Sequence, residues 1–191
     1  MKDTIDLTGK IAVITGGAGV ICSVMAKSLA ACGAKTVILD LNEEASARVA
    51  EEIRNEFKTG SLGLGASVLD KSSLESARAV IHEKMGPVDI LVNGAGGNSP
   101  AATTKVEKME GVEPENPDDT FFGLKLEGFD KVFDLNFKGT LLPTMVFATD
   151  MVRSKSGTIV NISSMNSYRP LTKIAAYSAA KAAVNNFTQW L

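Results

Sequence analysis

Lys10-Ile11-Ala12-Val13-Ile14-Thr15-Gly16-Gly17-Ala18-Gly19-Val20-Ile21 is the stretch on which the fold turns. Its first six residues read as a short apolar strand, and glycines follow at once. From about Val20, apolar side chains recur at Ile21, Met25 and Leu29, the stripe of an amphipathic helix running to Cys32. Glycines let the backbone turn tightly, and a helix that starts there offers free N–H groups and a partial positive charge. Strand, glycine turn and helix in that order suit the pyrophosphate of a dinucleotide; glycines alone would not.

The same alternation continues outward. Lys35–Asp40 is a second strand, and a charged helix covers about Asn42 to Phe57. Leu62–Leu69 reads as a weaker third strand, Asp70 as the N-cap of a helix that ends near Met85-Gly86-Pro87, and Val88–Val92 as a fourth strand. A helix is expected from about Phe129 to Val152. Pro143 lies inside it and clashes with the carbonyl of Gly139, so a kink is expected there. Thr158–Ile162 is the fifth strand, and an alanine-rich helix runs from about Ala175 to the last residue. Short apolar strands alternating with helices predict an α/β fold, a doubly wound parallel sheet of Rossmann type. Residues 1–191 read as a single dinucleotide-binding domain with an insertion at 98–128.

That insertion holds three of the six prolines and no clean periodicity. It follows a strand's carboxyl end, where ligands enter such sheets, so it reads either as a lid, with Phe121-Phe122 as its anchor, or as a disordered loop. The sequence ends within the helix that follows the fifth strand, so the sheet is expected to be truncated there, with an unpaired edge.

Composition excludes several classes. With 191 residues, 45% apolar and 22% charged, the chain has the balance of a globular protein. A net charge of −2 offers no basic surface for nucleic acid, and no apolar run is long enough for a membrane span. A cytoplasmic location is expected. Cys22 and Cys32, ten residues apart on one helix, are separated by about 15 Å, too far for a disulfide. One histidine, His82, excludes a His-rich metal site and a Ser-His-Asp triad.

Two further patterns carry chemistry. Asp40 lies 24 residues after Gly16, where a carboxylate accepts hydrogen bonds from adenosine ribose hydroxyls. No arginine stands at Leu39 or Leu41 to offset its charge against a 2′-phosphate, which favours NAD over NADP. Asp40 can also be read as a simple helix cap before Asn42. Tyr177-Ser178-Ala179-Ala180-Lys181 puts a phenol and an ammonium on one helical face. The cation stabilises the phenolate, which can then relay a proton to or from a substrate oxygen. Ser164, at the end of the fifth strand, precedes Tyr177 by 13 residues, and Asn136 lies in the preceding helix.

Together with the glycine turn and Asn93-Gly94-Ala95-Gly96, this constellation resembles the short-chain dehydrogenase/reductase family. The resemblance implies Tyr177 as general acid/base and Ser164 as the group that polarises the reacting oxygen. It implies Lys181 on the nicotinamide ribose and Asn136 holding a water of the proton relay where its helix is distorted. Gly16, Gly17, Gly19, Val20, Ile21, Asp40, Asn93, Ala95, Gly96, Tyr177 and Lys181 would contact the cofactor. Ser163, 14 residues before Tyr177, is one residue out of register for the catalytic role. Four positions depart from the family pattern: Val20 and Cys22 stand where glycines are usual, Gly94 replaces an asparagine, and Ser67 replaces an adenine-contacting aspartate.

Gly16–Cys22, the insertion, Asn161–Ser167 and Asn185–Leu191 resemble one branch, the D-mannonate oxidoreductases (fructuronate reductases). This implies a sugar acid as substrate, with Asn166, Arg169 and Lys173 available to it, and a homodimer or homotetramer. The alternatives are a relative of the gluconate 5-dehydrogenase or 3-oxoacyl reductase type, or a non-catalytic dinucleotide-binding protein.

Overall fold

The structure, a computed structural model, describes residues 5–109 and 116–191. The expected alternation is present: β1 (Ile11–Thr15), α1 (Val20–Ala31), β2 (Lys35–Asp40), α2 (Glu43–Phe57), β3 (Ser61–Gly65), α3 (Lys71–Lys84), β4 (Ile90–Asn93), α4 (Leu126–Phe133), α5 (Gly139–Ser154), β5 (Thr158–Asn161) and α6 (Ala175–Trp190). All strand pairs are parallel and the order is β3-β2-β1-β4-β5, so the sheet is doubly wound and reverses direction between β1 and β4.

The chain divides into two compact units. The first holds the described residues through Ala95 together with Thr140–Ile162. It contains the sheet, whose strands are buried by the period-2 rule. Val13, Val37, Leu39 and Leu91 point to one face and pack with Leu74 and Ile81 of α3 and Phe147 and Met151 of α5. Ala12, Ile14, Ile38 and Val92 point to the other, against Ala26 and Ala30 of α1 and Ala50 and Ile53 of α2. β5 forms one edge of the sheet, with Thr158 and Val160 exposed.

The second unit holds Gly96–Gly139 and Ser163–Leu191. Its core is Ala102, Val132, Ala176 and Ala180, with Phe129, Phe133 and Tyr177 packed on it. The described residues of the 98–128 insertion form three single 3-10 turns, Pro100–Ala102, Pro117–Asp119 and Phe121–Gly123, and lead into α4. Residues 110–115 of that insertion, like Met1 to Thr4, lie outside the described residues.

Two boundaries differ most from expectation. β3 stops at Gly65 because the Ser67 amide turns to Ser73 Oγ (3.1 Å) and Asp70 caps α3 through the amides of Ser72 and Ser73. The helix expected from Phe129 begins earlier, at Leu126. In place of a simple kink at Gly139, it carries a π-helical turn, Asp134–Lys138, immediately before that glycine. Both cysteines are free thiols. Among the described residues no helix is long and apolar enough to cross a membrane, and no group of three His, Cys, Asp or Glu side chains could hold a metal ion.

Candidate active site

In the first unit, the glycine turn is held by backbone contacts that leave no room for side chains. Gly16 has φ +63°, and a β-carbon there would lie 2.9 Å from the Ala95 Cα and N. One on Gly17 would lie 2.8 Å from the Ile14 carbonyl oxygen and 2.9 Å from Ile38 Cγ2. The Gly17 amide donates to Leu39 O (3.1 Å) and that of Gly19 to Gly16 O (3.0 Å). Gly19 is the N-cap of α1 and supplies no capping side chain, so no side-chain cap bond engages the end of the helix where its partial positive charge gathers. Val20 and Ile21, the first two residues of α1, are exposed. A bare helix end beside backbone without β-carbons fits a pyrophosphate.

Asp40 ends β2 beside this turn. Its carboxylate accepts from the Ala18 amide (3.2 Å) through Oδ2 and from the Asn42 amide (3.2 Å) through Oδ1. The cap of α2 is Asn42 itself, which accepts from the Ala45 amide (3.0 Å). Asp40 therefore braces the glycine turn as well as the entry to α2, and each carboxylate oxygen keeps a lone pair for another donor.

The Asn93 side chain is turned inward. Its Nδ2 donates to Thr144 Oγ1 (2.9 Å) and Asn161 Oδ1 (2.8 Å), and the backbone carbonyl of Asn93 accepts from the Ile162 amide (2.9 Å). Asn93 thus locks the ends of β4 and β5 together from beneath. Thr15, whose role the sequence did not reveal, does the same for β1 and β4: its hydroxyl accepts from the amides of Gly94 (3.1 Å) and Ala95 (3.3 Å). Only the threonine's place at a strand end ahead of glycines hints at it.

The second unit holds Gly96, Asn136, Ser164, Tyr177 and Lys181. Asn136 is fully buried on the π-turn, with Oδ1 accepting from the Gly97 amide (3.2 Å) and Nδ2 donating to the carbonyls of Gly97 and Val132 (2.7 Å each). A β-carbon on Gly96 would lie 2.8 Å from Asn136 Oδ1 and 3.2 Å from Lys181 Nζ, so that glycine is where the two side chains converge. Lys181 is only 4% exposed, and its ammonium lies over the Tyr177 ring, 5.8 Å from the centroid. Burying an ammonium is costly unless it is paired or serves a function, which makes Lys181 a candidate site residue.

Tyr177 packs its ring on the unit's apolar core, while its hydroxyl makes no hydrogen bond to protein among the described residues. Ser164 caps the 3-10 turn Met165–Ser167, which packs against α6, and its Oγ accepts from the Asn166 amide (3.2 Å). Ser163 Oγ donates to the Lys181 carbonyl (3.2 Å) and is occupied there. Of the three side chains available to a sugar acid, Arg169 is exposed, Lys173 half-buried and Asn166 buried. A cavity of about 910 Å³ in this unit is lined by Asn98, Ser99, Thr103, Lys105 and Lys125 among others, and its lining does not include Ser164, Tyr177 or Lys181.

Residues 10–191 match the family model described as short chain dehydrogenase. The chain is 47% identical over 186 residues to an uncharacterized oxidoreductase of Haemophilus influenzae, covering 97% of this chain and 65% of that protein. It is 46% identical to the uncharacterized oxidoreductase UxuB of Bacillus subtilis, covering 97% and 66%. Among solved structures it is similar, with a TM-score of 0.91 and 48% identity over 97% of this chain and 65% of the other, to a Haemophilus influenzae protein provisionally named a D-mannonate oxidoreductase and crystallised with bound NAD. The chain thus spans just under two thirds of the length of these relatives.

Proposed function

Because the chain belongs to the short-chain dehydrogenase family, we propose that it forms the dinucleotide-binding and catalytic part of an NAD-dependent oxidoreductase that interconverts a secondary alcohol and a ketone, with a sugar acid of the D-mannonate/D-fructuronate kind as substrate. The single observation that carries the reading is the buried Lys181 ammonium over the ring of Tyr177, one helical turn away, at a tyrosine whose hydroxyl has no protein partner among the described residues.

Gly16, Gly17, Gly19, Val20, Ile21 and Asp40 would hold the adenosine and pyrophosphate of NAD, and Lys181 its nicotinamide ribose; the chemistry supplied by the bound cofactor would be hydride exchange with the substrate carbon. In the oxidative direction, Tyr177 as phenolate takes the proton from the substrate hydroxyl as the C–H bond breaks and the C=O bond forms. In reduction, Tyr177 as phenol returns that proton to the oxygen. Ser164 donates a hydrogen bond to the same oxygen and polarises the carbonyl. Lys181 compensates the negative charge on the tyrosine oxygen. Asn136, fixed to Gly97 and Val132 on the π-turn, positions the proton relay behind Lys181. Ala95 and Gly96 would line the cofactor's path, and Asn93 braces the ends of β4 and β5.

NAD is favoured over NADP by the Asp40 carboxylate at the end of β2. The sugar-acid substrate is supported by the name given to the NAD-bound relative and by the stretches that resemble that branch. Association as a homodimer or homotetramer belongs to the same proposal, supported by the exposed Met145 and Val152 on one face of α5.

The test is the oxidation of NADH, and separately NADPH, by the purified protein with D-fructuronate, a keto-gluconate and a 3-oxoacyl thioester. Turnover of D-fructuronate with NADH is the expected result. Turnover of another carbonyl only would remove the sugar acid and keep the oxidoreductase, and no turnover of any would reject both.

A further inference from the structure

Tyr177, Lys181 and Asn185 recur every four residues along one face of α6. The first two belong to the reaction proposed above; the third has no part in it. Asn185 is half-buried, and its Nδ2 donates to Ser167 Oγ (2.8 Å). The Ser167 hydroxyl passes its single proton on to the Ser164 carbonyl (2.5 Å), which also accepts from the Ser167 amide (3.1 Å). The Asn166 amide in turn donates to Ser164 Oγ (3.2 Å). A chain of hydrogen bonds therefore runs from α6 through Ser167 to the carbonyl oxygen of Ser164, and the Asn166 amide of the same turn holds its Oγ.

We propose that Asn185 and Ser167 are positioning residues that fasten the Ser164 turn to the helix bearing Tyr177 and Lys181. The inference rests on the function proposed above. Met165–Ser167 is a single 3-10 turn with its own weak geometry; Met165 and the C-cap Tyr168 are exposed and its one buried residue is the polar Asn166, so apolar burial does little to fix it. The serine hydroxyl serves the reaction only if it stays within hydrogen-bond reach of the oxygen that Tyr177 protonates, and small errors of placement there cost rate steeply. The donor–acceptor polarity is specific as well. Ser167 has already given its proton to Ser164, so residue 185 must be a donor, and a carboxylate of the same shape cannot replace the amide.

Asn185→Asp, Asn185→Leu and Ser167→Ala test this, with Ser167→Thr as the conservative variant. Each of the first three should lower kcat about tenfold with the KM for NADH unchanged, and Ser167→Thr should restore most of it. In a Ser164→Ala background the same substitutions should cost nothing further, since they act through that serine. Independently of turnover, hydrogen–deuterium exchange of the peptide containing residues 163–168 should quicken in Asn185→Leu and Ser167→Ala, while that containing Ile11–Thr15 stays as in the parent. Unchanged exchange at 163–168, or losses that add fully to that of Ser164→Ala, would overturn the positioning role and leave the enzyme reading intact. Ser164→Ala with full turnover would instead remove the reading on which the role rests.

Discussion

The sulfur of Cys22 occupies the space that a side chain on Gly94 would need: a β-carbon built on that glycine overlaps the thiol and lies 2.9 Å from the Thr15 carbonyl oxygen. Cys22 and Gly94 are two of the positions at which the resemblance implied a departure from the family pattern, and in space they meet at one contact. Gly94→Ala is therefore expected to destabilise the protein by about 1–3 kcal/mol through overpacking. Cys22→Gly in the same chain should restore part of that and no more, because the Thr15 oxygen still crowds the position. Chemical denaturation of the two single variants and the double variant measures the coupling, and simple additivity would show that the contact is not the cause.

That pair also marks the limit of what a sequence shows. β1, β2 and the order of the elements are legible because each strand is an apolar run cut off by glycine or charge, and the helices between them carry a clear stripe. The end of β3 is not, since Ala66-Ser67-Val68-Leu69 remains strand-like while the chain is being diverted by the Ser73 hydroxyl and the Asp70 cap. Tyr177, Lys181, Ser164 and Asn136 are legible by type and spacing, yet nothing in the spacing says that Lys181 is buried or that Asn136 rides on a π-turn. The Thr15 clamp and the Asn185–Ser167 link are tertiary hydrogen bonds between ordinary polar residues, for which no local pattern exists.

Asp40 makes a prediction with two readouts. Its carboxylate accepts from the Ala18 and Asn42 amides, so Asp40→Ala leaves one donor at the glycine turn and one at the entry to α2 without their partner. A stability loss of about 1–3 kcal/mol is expected from these alone. Asp40→Asn keeps both acceptors' shape, with one oxygen retained, and removes the charge that repels a 2′-phosphate. It should narrow the preference for NADH over NADPH, seen as a fall in the ratio of their kcat/KM values. An unchanged ratio would mean that Asp40 only braces the turn.

Tyr177→Phe separates the ring from its hydroxyl. The ring packs on Ala102, Val132, Ala176 and Ala180, and the hydroxyl has no protein partner among the described residues, so stability should stay within about 0.5 kcal/mol of the parent. Turnover should fall by about 10²-fold or more, because the proton has no carrier. NADH affinity, read by fluorescence titration, should change little. Retained turnover in this variant would end the assignment of Tyr177 as acid/base.

A titratable cluster within the first unit bears on stability. Asp150 of α5 has a side chain only 2% exposed, hydrogen-bonded to Arg78 and to His82 Nε2 (2.7 Å) on successive turns of α3, and to the Val88 amide (3.1 Å). Burial works to raise its pKa, but the hydrogen bonds from Arg78, His82 and Val88, with the Arg78 charge, outweigh it and hold the carboxyl below the usual carboxylate range. A carboxylate depressed on folding stabilises the fold above its unfolded pKa of about 3.9, and that contribution is lost as pH falls through the lower folded value. Asp150→Asn should therefore cost about 3 kcal/mol at neutral pH, where it leaves Arg78 without its counter-ion. The gap between parent and variant should close as the pH drops below about 4, because the parent's carboxylate is then being protonated too. Urea denaturation of both proteins from neutral pH down to the acid transition follows this directly. A gap that stays constant throughout would place the effect in shape or packing and not in the charge of Asp150.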